Sequence, residues 1–116
     1  MRISAYDFGQ ITIDGRTFGG DDLLIHSGLP SDISWHVEGH RLAPEDLERL
    51  WDRPPKVLVV GTGFYGRMMV PEETRQAALD HGVEIRTAPS REAVELFNTL
   101  SALPTVTVDA MIHLTC

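Results

Sequence analysis

The chain is 116 residues long, 42% of them hydrophobic and 23% charged, which suffices for one compact domain and is too short for a multidomain enzyme. Ten basic against seventeen acidic side chains leave a net charge of −7, which repels phosphate backbones and anionic headgroups and disfavours nucleic-acid and membrane-surface binding. The single cysteine, Cys116, excludes an intramolecular disulfide and a CxxC metal or redox site and points to a reducing compartment. The longest aliphatic run, Val57 to Val60, falls far short of the roughly 20 residues of a spanning helix, and Met1 to Asp7 has neither an apolar signal core nor the composition of a transit peptide.

In chain order, Ile11 and Ile13 alternate with Thr12, Asp14-Gly15 supplies a two-residue turn, and Arg16 to Phe18 returns, which predicts a β-hairpin. Leu23 to His26 resumes extended structure, Ser27 to Pro30 interrupts it, and alternation at Ile33, Trp35 and Val37 predicts one more short strand. Pro44-Glu45-Asp46 places proline at the first helical position with acids in the first turn. The helix should run to about Trp51, bury Leu47, Leu50 and Trp51, and leave Glu45, Glu48 and Asp52 as a solvated face before Pro54-Pro55 bars continuation.

The second half alternates strands and helices. Val57 to Val60 is a continuous β-branched and leucine run, the pattern of a strand covered on both faces, and reads as the central strand. Pro71-Glu72-Glu73 opens a helix that His81-Gly82 closes, and Val83 to Arg86 resumes the sheet, so this strand-helix-strand unit predicts parallel pairing. Pro89-Ser90 opens a last helix with Ala93, Val94, Leu96, Phe97 and Leu100 on one stripe. From Thr105 onward the chain alternates, with Val106, Val108, Ala110, Ile112 and Leu114 facing one way and Asp109, Met111 and His113 the other. The reading is thus an α/β domain spanning residues 1–116, against whose sheet a β-rich amino-terminal third packs.

Gly61-Thr62-Gly63-Phe64-Tyr65-Gly66-Arg67 matches GxGxxG directly after the buried strand, where open α/β sheets bind ligands. A dinucleotide is disfavoured because the helix starts only at Pro71, no acid closes the following strand, and no second nucleotide half exists, so no cofactor is expected. What remains is a small-anion or small-molecule loop, in which backbone N–H groups beside Arg67 cradle an anion and Tyr65 forms a wall, against the plainer reading of a tight turn. His36-Val37-Glu38-Gly39-His40 mimics a metal motif, but in a strand its histidines stand about 13 Å apart, so no metal site is expected. Asp109, His113 and Cys116 do not form a triad, because strand parity sets Cys116 opposite His113 and Asp109 lies about 13 Å from His113. Arg67 and Asp109 can pair across the sheet. Trp35 suits a core edge or a binding hot spot, with core packing favoured. Trp35, His40, Asp109 and His113 are the remaining partner or cleft candidates.

The ordered set Tyr6-Asp7-Phe8-Gly9, Ile13-Asp14-Gly15, Trp35, Glu38-Gly39-His40, Gly61-Thr62-Gly63 to Pro71-Glu72 and His113 to Cys116 resembles the small family long labelled domain of unknown function 498. The likeness covers nearly the whole chain. It implies a three-layer α/β fold, (β+α)/β/α, with a mixed, largely parallel central sheet and a smaller amino-terminal β layer. It implies no established enzymatic activity, no catalytic residue and no agreed cofactor. One mitochondrial branch of the family acts as an assembly factor for respiratory complex I, so the resemblance implies a protein partner, among which respiratory-complex subunits or another assembly factor stand first. A homodimer is the other expectation. The missing presequence points to a bacterial or archaeal member, cytoplasmic in bacteria, or to a mature form, with mitochondrial relatives in eukaryotes, and nine arginines among the ten basic residues point to a GC-rich genome.

Overall fold

Residues 1–35 and 40–115 are described by a computed structural model. Tight turns organise the amino-terminal half. At Asp14-Gly15 both residues take positive φ, 48° and 81°, the twist that joins antiparallel strands in two residues. They link β2 (Gln10–Ile13) to β3 (Arg16–Gly19) with Ile13 opposite Arg16, as the hairpin signal predicts. β1 (Ile3–Asp7) adds to β2 to complete a three-stranded antiparallel sheet.

A second two-residue turn, Ser27-Gly28 with φ of 50° and 76°, folds β4 (Asp22–His26) onto β5 (Leu29–Ser31). This corrects the described part, Ile33 to Trp35, of the strand expected at Ile33 to Val37: the turn returns the chain at once, so the partner of β4 is Leu29–Ser31. Pro30 fits there because β5 is a sheet edge, where a missing N–H costs no ladder bond. Ile33 and Trp35 follow outside any strand, and Val37 lies outside the described residues, as do His36, Glu38 and Gly39 of the histidine motif and Cys116.

The helix at Pro44–Leu50 is a 3-10 helix, with Asp46 buried and its Oδ2 accepting the Ala43 N–H at 2.7 Å. Then come β6 (Val57–Thr62), α1 (Glu72–Asp80), β7 (Glu84–Ala88), α2 (Ser90–Ser101) and β8 (Val108–His113). The main sheet has the order β5-β4-β8-β6-β7; β6 is parallel to β7 and β8, and β4 is antiparallel to β8 and β5. Every residue of β6 is buried, yet the middle strand is β8, not β6. β8 earns the centre by presenting Ala110 and Ile112 to one layer and Met111 to the other, between a parallel and an antiparallel neighbour.

Two cores flank this sheet. On one face Leu23, Ile25, Val57, Val59, Ala110 and Ile112 meet Phe97, Ala93 and Val94 of α2 and Ile3, Ile11, Ile13 and Phe18 of the small sheet. On the other, Leu24, Leu58, Val60, Ile85 and Met111 meet Leu47 and Leu50 of the 3-10 helix, Ala78 of α1, and Trp35. The result is a three-layer α/β fold with a mixed central sheet. Asn98 of α2 fastens the small sheet, its amide bonding both the N–H and the carbonyl of Ile3 at 2.8 Å. Opposite, Trp51 stacks on His81 at 3.9 Å, tying the end of the 3-10 helix to the end of α1. No helix among the described residues is long and apolar enough to cross a membrane.

Candidate functional site

α1 lies on one face of the sheet and α2 on the other, so the chain diverges at the carboxyl end of β6, where the Gly61 to Arg67 segment emerges. Gly61 is there for space. A Cβ at that position would stand 2.8 Å from Ser90 Oγ and 3.0 Å from Ile112, because the start of α2 presses on the strand. Gly63 and Gly66 turn the chain with φ of 107° and 67°. Three amides of the segment and that of Met68 just after it donate within the protein: Gly63 to Ser90 Oγ at 2.9 Å, Phe64 to the Thr115 carbonyl at 2.7 Å, Gly66 to the Gly63 carbonyl at 3.1 Å and Met68 to the Thr62 carbonyl at 2.9 Å. Thr62 Oγ1 donates to the Ala88 carbonyl and the Ser90 hydroxyl to that of His113, so these polar groups join the ends of β6, β7 and β8.

Above this knot stands an aromatic cluster. Phe64 contacts Tyr65 with centroids 5.1 Å apart and Phe8, from the turn after β1, at 5.6 Å; Tyr6 lies 6.2 Å from Phe64. Phe8 and Tyr65 remain 50% and 61% exposed. Two guanidiniums rim the cluster, Arg67 over Tyr65 and Arg91 over Phe64, each 5.5 Å from the ring centre. Tyr6 is half-buried and donates to the Leu114 carbonyl at 3.0 Å; burial pushes its phenol above the ordinary value, against the Ser90 hydrogen bond and the Arg91 charge.

The other chemistry-bearing groups lie between β4 and β8. Their antiparallel register makes three rungs on the 3-10 helix side: Asp22 with His113, Leu24 with Met111, and His26 with Asp109. Asp22 Oδ1 accepts from His113 Nδ1 at 2.9 Å, and its Oδ2 accepts the Trp35 N–H at 3.1 Å. Trp35 is 1% exposed with its indole N–H on the Leu23 carbonyl, so it takes the core use rather than the hot-spot use. His113 is buried as well, which removes both from any partner-facing surface. Asp109 does not meet Arg67; its carboxylate holds His26 Nδ1 at 2.6 Å and the Ser27 N–H at 3.1 Å, because Asp109 sits near the amino end of β8 and Arg67 beyond the carboxyl end of β6. His40 is exposed, and its carbonyl accepts the Met69 N–H. Among the described residues no three His, Cys, Asp or Glu side chains are placed to hold a metal ion.

Residues 3–112 match the model of the family described as protein of unknown function (DUF498/DUF598). The chain belongs to the DUF498 family. A conserved hypothetical protein of Pyrococcus horikoshii is 32% identical, with all of both chains covered and a TM-score of 0.86. The protein MT938 is 24% identical over 99% of this chain and 98% of its own, with a TM-score of 0.80. An outer membrane protein of Bartonella henselae is 23% identical over 98% and 94%, with a TM-score of 0.80. The last two likenesses carry the fold alone.

Three residues of this DUF498 chain that carry no motif in the sequence take part in its aromatic cluster and its polar chemistry. Phe8 lay in the segment quoted for the resemblance, but nothing local linked it to Phe64, which is 56 positions away. His26 ended a strand without any pattern marking it. Asp52 is solvated, as expected for the acidic face, and it also bonds His26 Nε2 at 2.7 Å. The available signal was parity: His26 and Asp22 share the Leu24 face of β4, as Asp109 and His113 share the Met111 face of β8.

Proposed function

We propose that this DUF498 chain is a non-enzymatic protein-binding module that docks its partner on the aromatic surface of Phe8, Phe64 and Tyr65 between Arg67 and Arg91. The observation that carries the reading is the exposure of Phe8 and Tyr65 around the half-buried Phe64 in one cluster, rimmed by two cations, in a chain of net charge −7. Aromatic residues and arginine are the side chains most enriched among binding hot spots. The guanidiniums suit a partner segment that sets carboxylates beside apolar anchors. The respiratory-complex assembly role implied by the family resemblance is of this class. The alternative, a small-anion site in the Gly61 to Arg67 loop, has less support, because the amides of Gly63, Phe64, Gly66 and Met68 are already engaged.

The test compares tagged wild type with a Phe8→Ala, Tyr65→Ala double variant, recovered from gently solubilised cells of the protein's own source. Both side chains are exposed, so the variant should keep the melting temperature of the wild type. The expected result is a stoichiometric protein that enriches with wild type and is lost from the variant. A partner held equally by both, or none with either, overturns the reading. Light scattering of purified protein across concentration identifies a second copy as the occupant.

A further inference from the structure

Away from the aromatic surface, His26 has both ring nitrogens on carboxylates, Nδ1 at 2.6 Å from Asp109 Oδ2 and Nε2 at 2.7 Å from Asp52 Oδ1. An ionised carboxylate only accepts hydrogen bonds, and a neutral imidazole has one N–H to give. Both bonds are satisfied together when the ring is an imidazolium. Its two partners differ in how firmly they are held. The Asp109 side chain is 5% exposed and also takes the Ser27 N–H, whereas Asp52 is 69% exposed and stands on the connection between the 3-10 helix and β6. When the ring loses a proton, the inner bond to Asp109 persists and the outer one to Asp52 is given up.

That connection is also a wall. A pocket of about 290 Å³, already half open to solvent, lies between Arg53, Pro54 and Pro55 on one side and Gly28, Val108 and Asp109 on the other. We propose that the Asp52–His26–Asp109 bridge is a pH-operated latch that ties the Arg53-Pro54-Pro55 wall to the β4–β8 wall and lets this pocket widen when the imidazolium loses its proton. The charged groups around it are Asp109 from β8, Asp52 from the connection and Arg53 at the cavity; on β4 itself, Asp22 lies one rung beyond Leu24 and is engaged with His113. Burial opposes charge on the His26 ring, but the bonds and charges of the two carboxylates outweigh it and hold its pKa above the ordinary 6.5.

The latch is tested by ¹⁵N NMR of the His26 ring together with amide exchange at Trp51, Arg53 and Lys56, across pH, on wild type and on Asp52→Ala. Asp52 is exposed, so its removal leaves the fold in place. The expected wild type keeps both ring N–H protons above pH 6.5, and its titration moves down in Asp52→Ala. Exchange at these amides, corrected for its intrinsic pH dependence, then rises several-fold as the ring titrates. Asp52→Ala should exchange at the raised level throughout, with no step. A ring that titrates at or below the ordinary 6.5, or wild-type exchange that is flat across its titration, overturns the latch.

Discussion

Gly61 and His26 show how differently single residues act here. Gly61 lies in extended β6 and is required for room, since the Ser90 hydroxyl and Ile112 occupy the space of a side chain. Gly61→Ala should therefore cost about 1–3 kcal/mol through overpacking, read by urea unfolding. His26 acts through protons. Its folded pKa is raised, so its contribution is complete below 6.5 and is lost as pH rises through the folded value. Burial likewise raises Asp109, so the folded state holds that proton longer and loses stability as pH climbs past 3.8. Asp52 runs the other way: its bond to His26 lowers it, and its contribution is present above 3.8 and lost as pH falls through the folded value. Melting temperature should accordingly decline as pH rises above 6.5 through the folded value of His26, and His26→Gln should flatten that decline. An unchanged slope in His26→Gln would assign the dependence elsewhere.

Among the elements, α2 carries the most tertiary responsibility. Its apolar stripe closes the core between the two sheets, and its Asn98 substitutes for a neighbouring strand by pairing both backbone groups of Ile3. Asn98→Ala removes both bonds and should cost about 1–3 kcal/mol, with faster amide exchange in β1 than in β6 or β8. Equal acceleration in all strands would mean that the small sheet does not open on its own. The hairpins are decided locally instead, by residue pairs whose positive φ matches strand twist. That is why Asp14-Gly15 was readable in advance and why Ser27-Gly28 folds β4 back within two residues.

For the molecule as a whole, the charge arrangement and the aromatic surface belong together. On the proposed reading, Arg67 and Arg91 beside the aromatic cluster offset the overall charge of −7 locally and steer an acidic partner segment to that surface. Binding at that surface should weaken as ionic strength rises, and Arg67→Ala, Arg91→Ala should remove most of that salt dependence while Phe8→Ala, Tyr65→Ala lowers affinity at every salt concentration. Titration of the recovered partner by calorimetry separates the two effects. A salt dependence that survives the double arginine variant would place the electrostatic contact elsewhere.

Local chemistry was enough to read most of the elements: Pro-acid helix starts, the glycine closing α1, the stripe of α2 and the alternation of β8 are all set by neighbours within a few residues. The family resemblance likewise rested on residues as they stand in the chain. Tertiary structure alone decided which strand is central, because sheet order depends on long-range pairing between β4, β6 and β8 that no local period encodes. It also decided the sites. Phe8 meets Phe64, and Asp52 meets His26 and through it Asp109, only because the sheet brings distant segments together, and a hydrogen bond or ring contact leaves no trace in the spacing of residues so far apart.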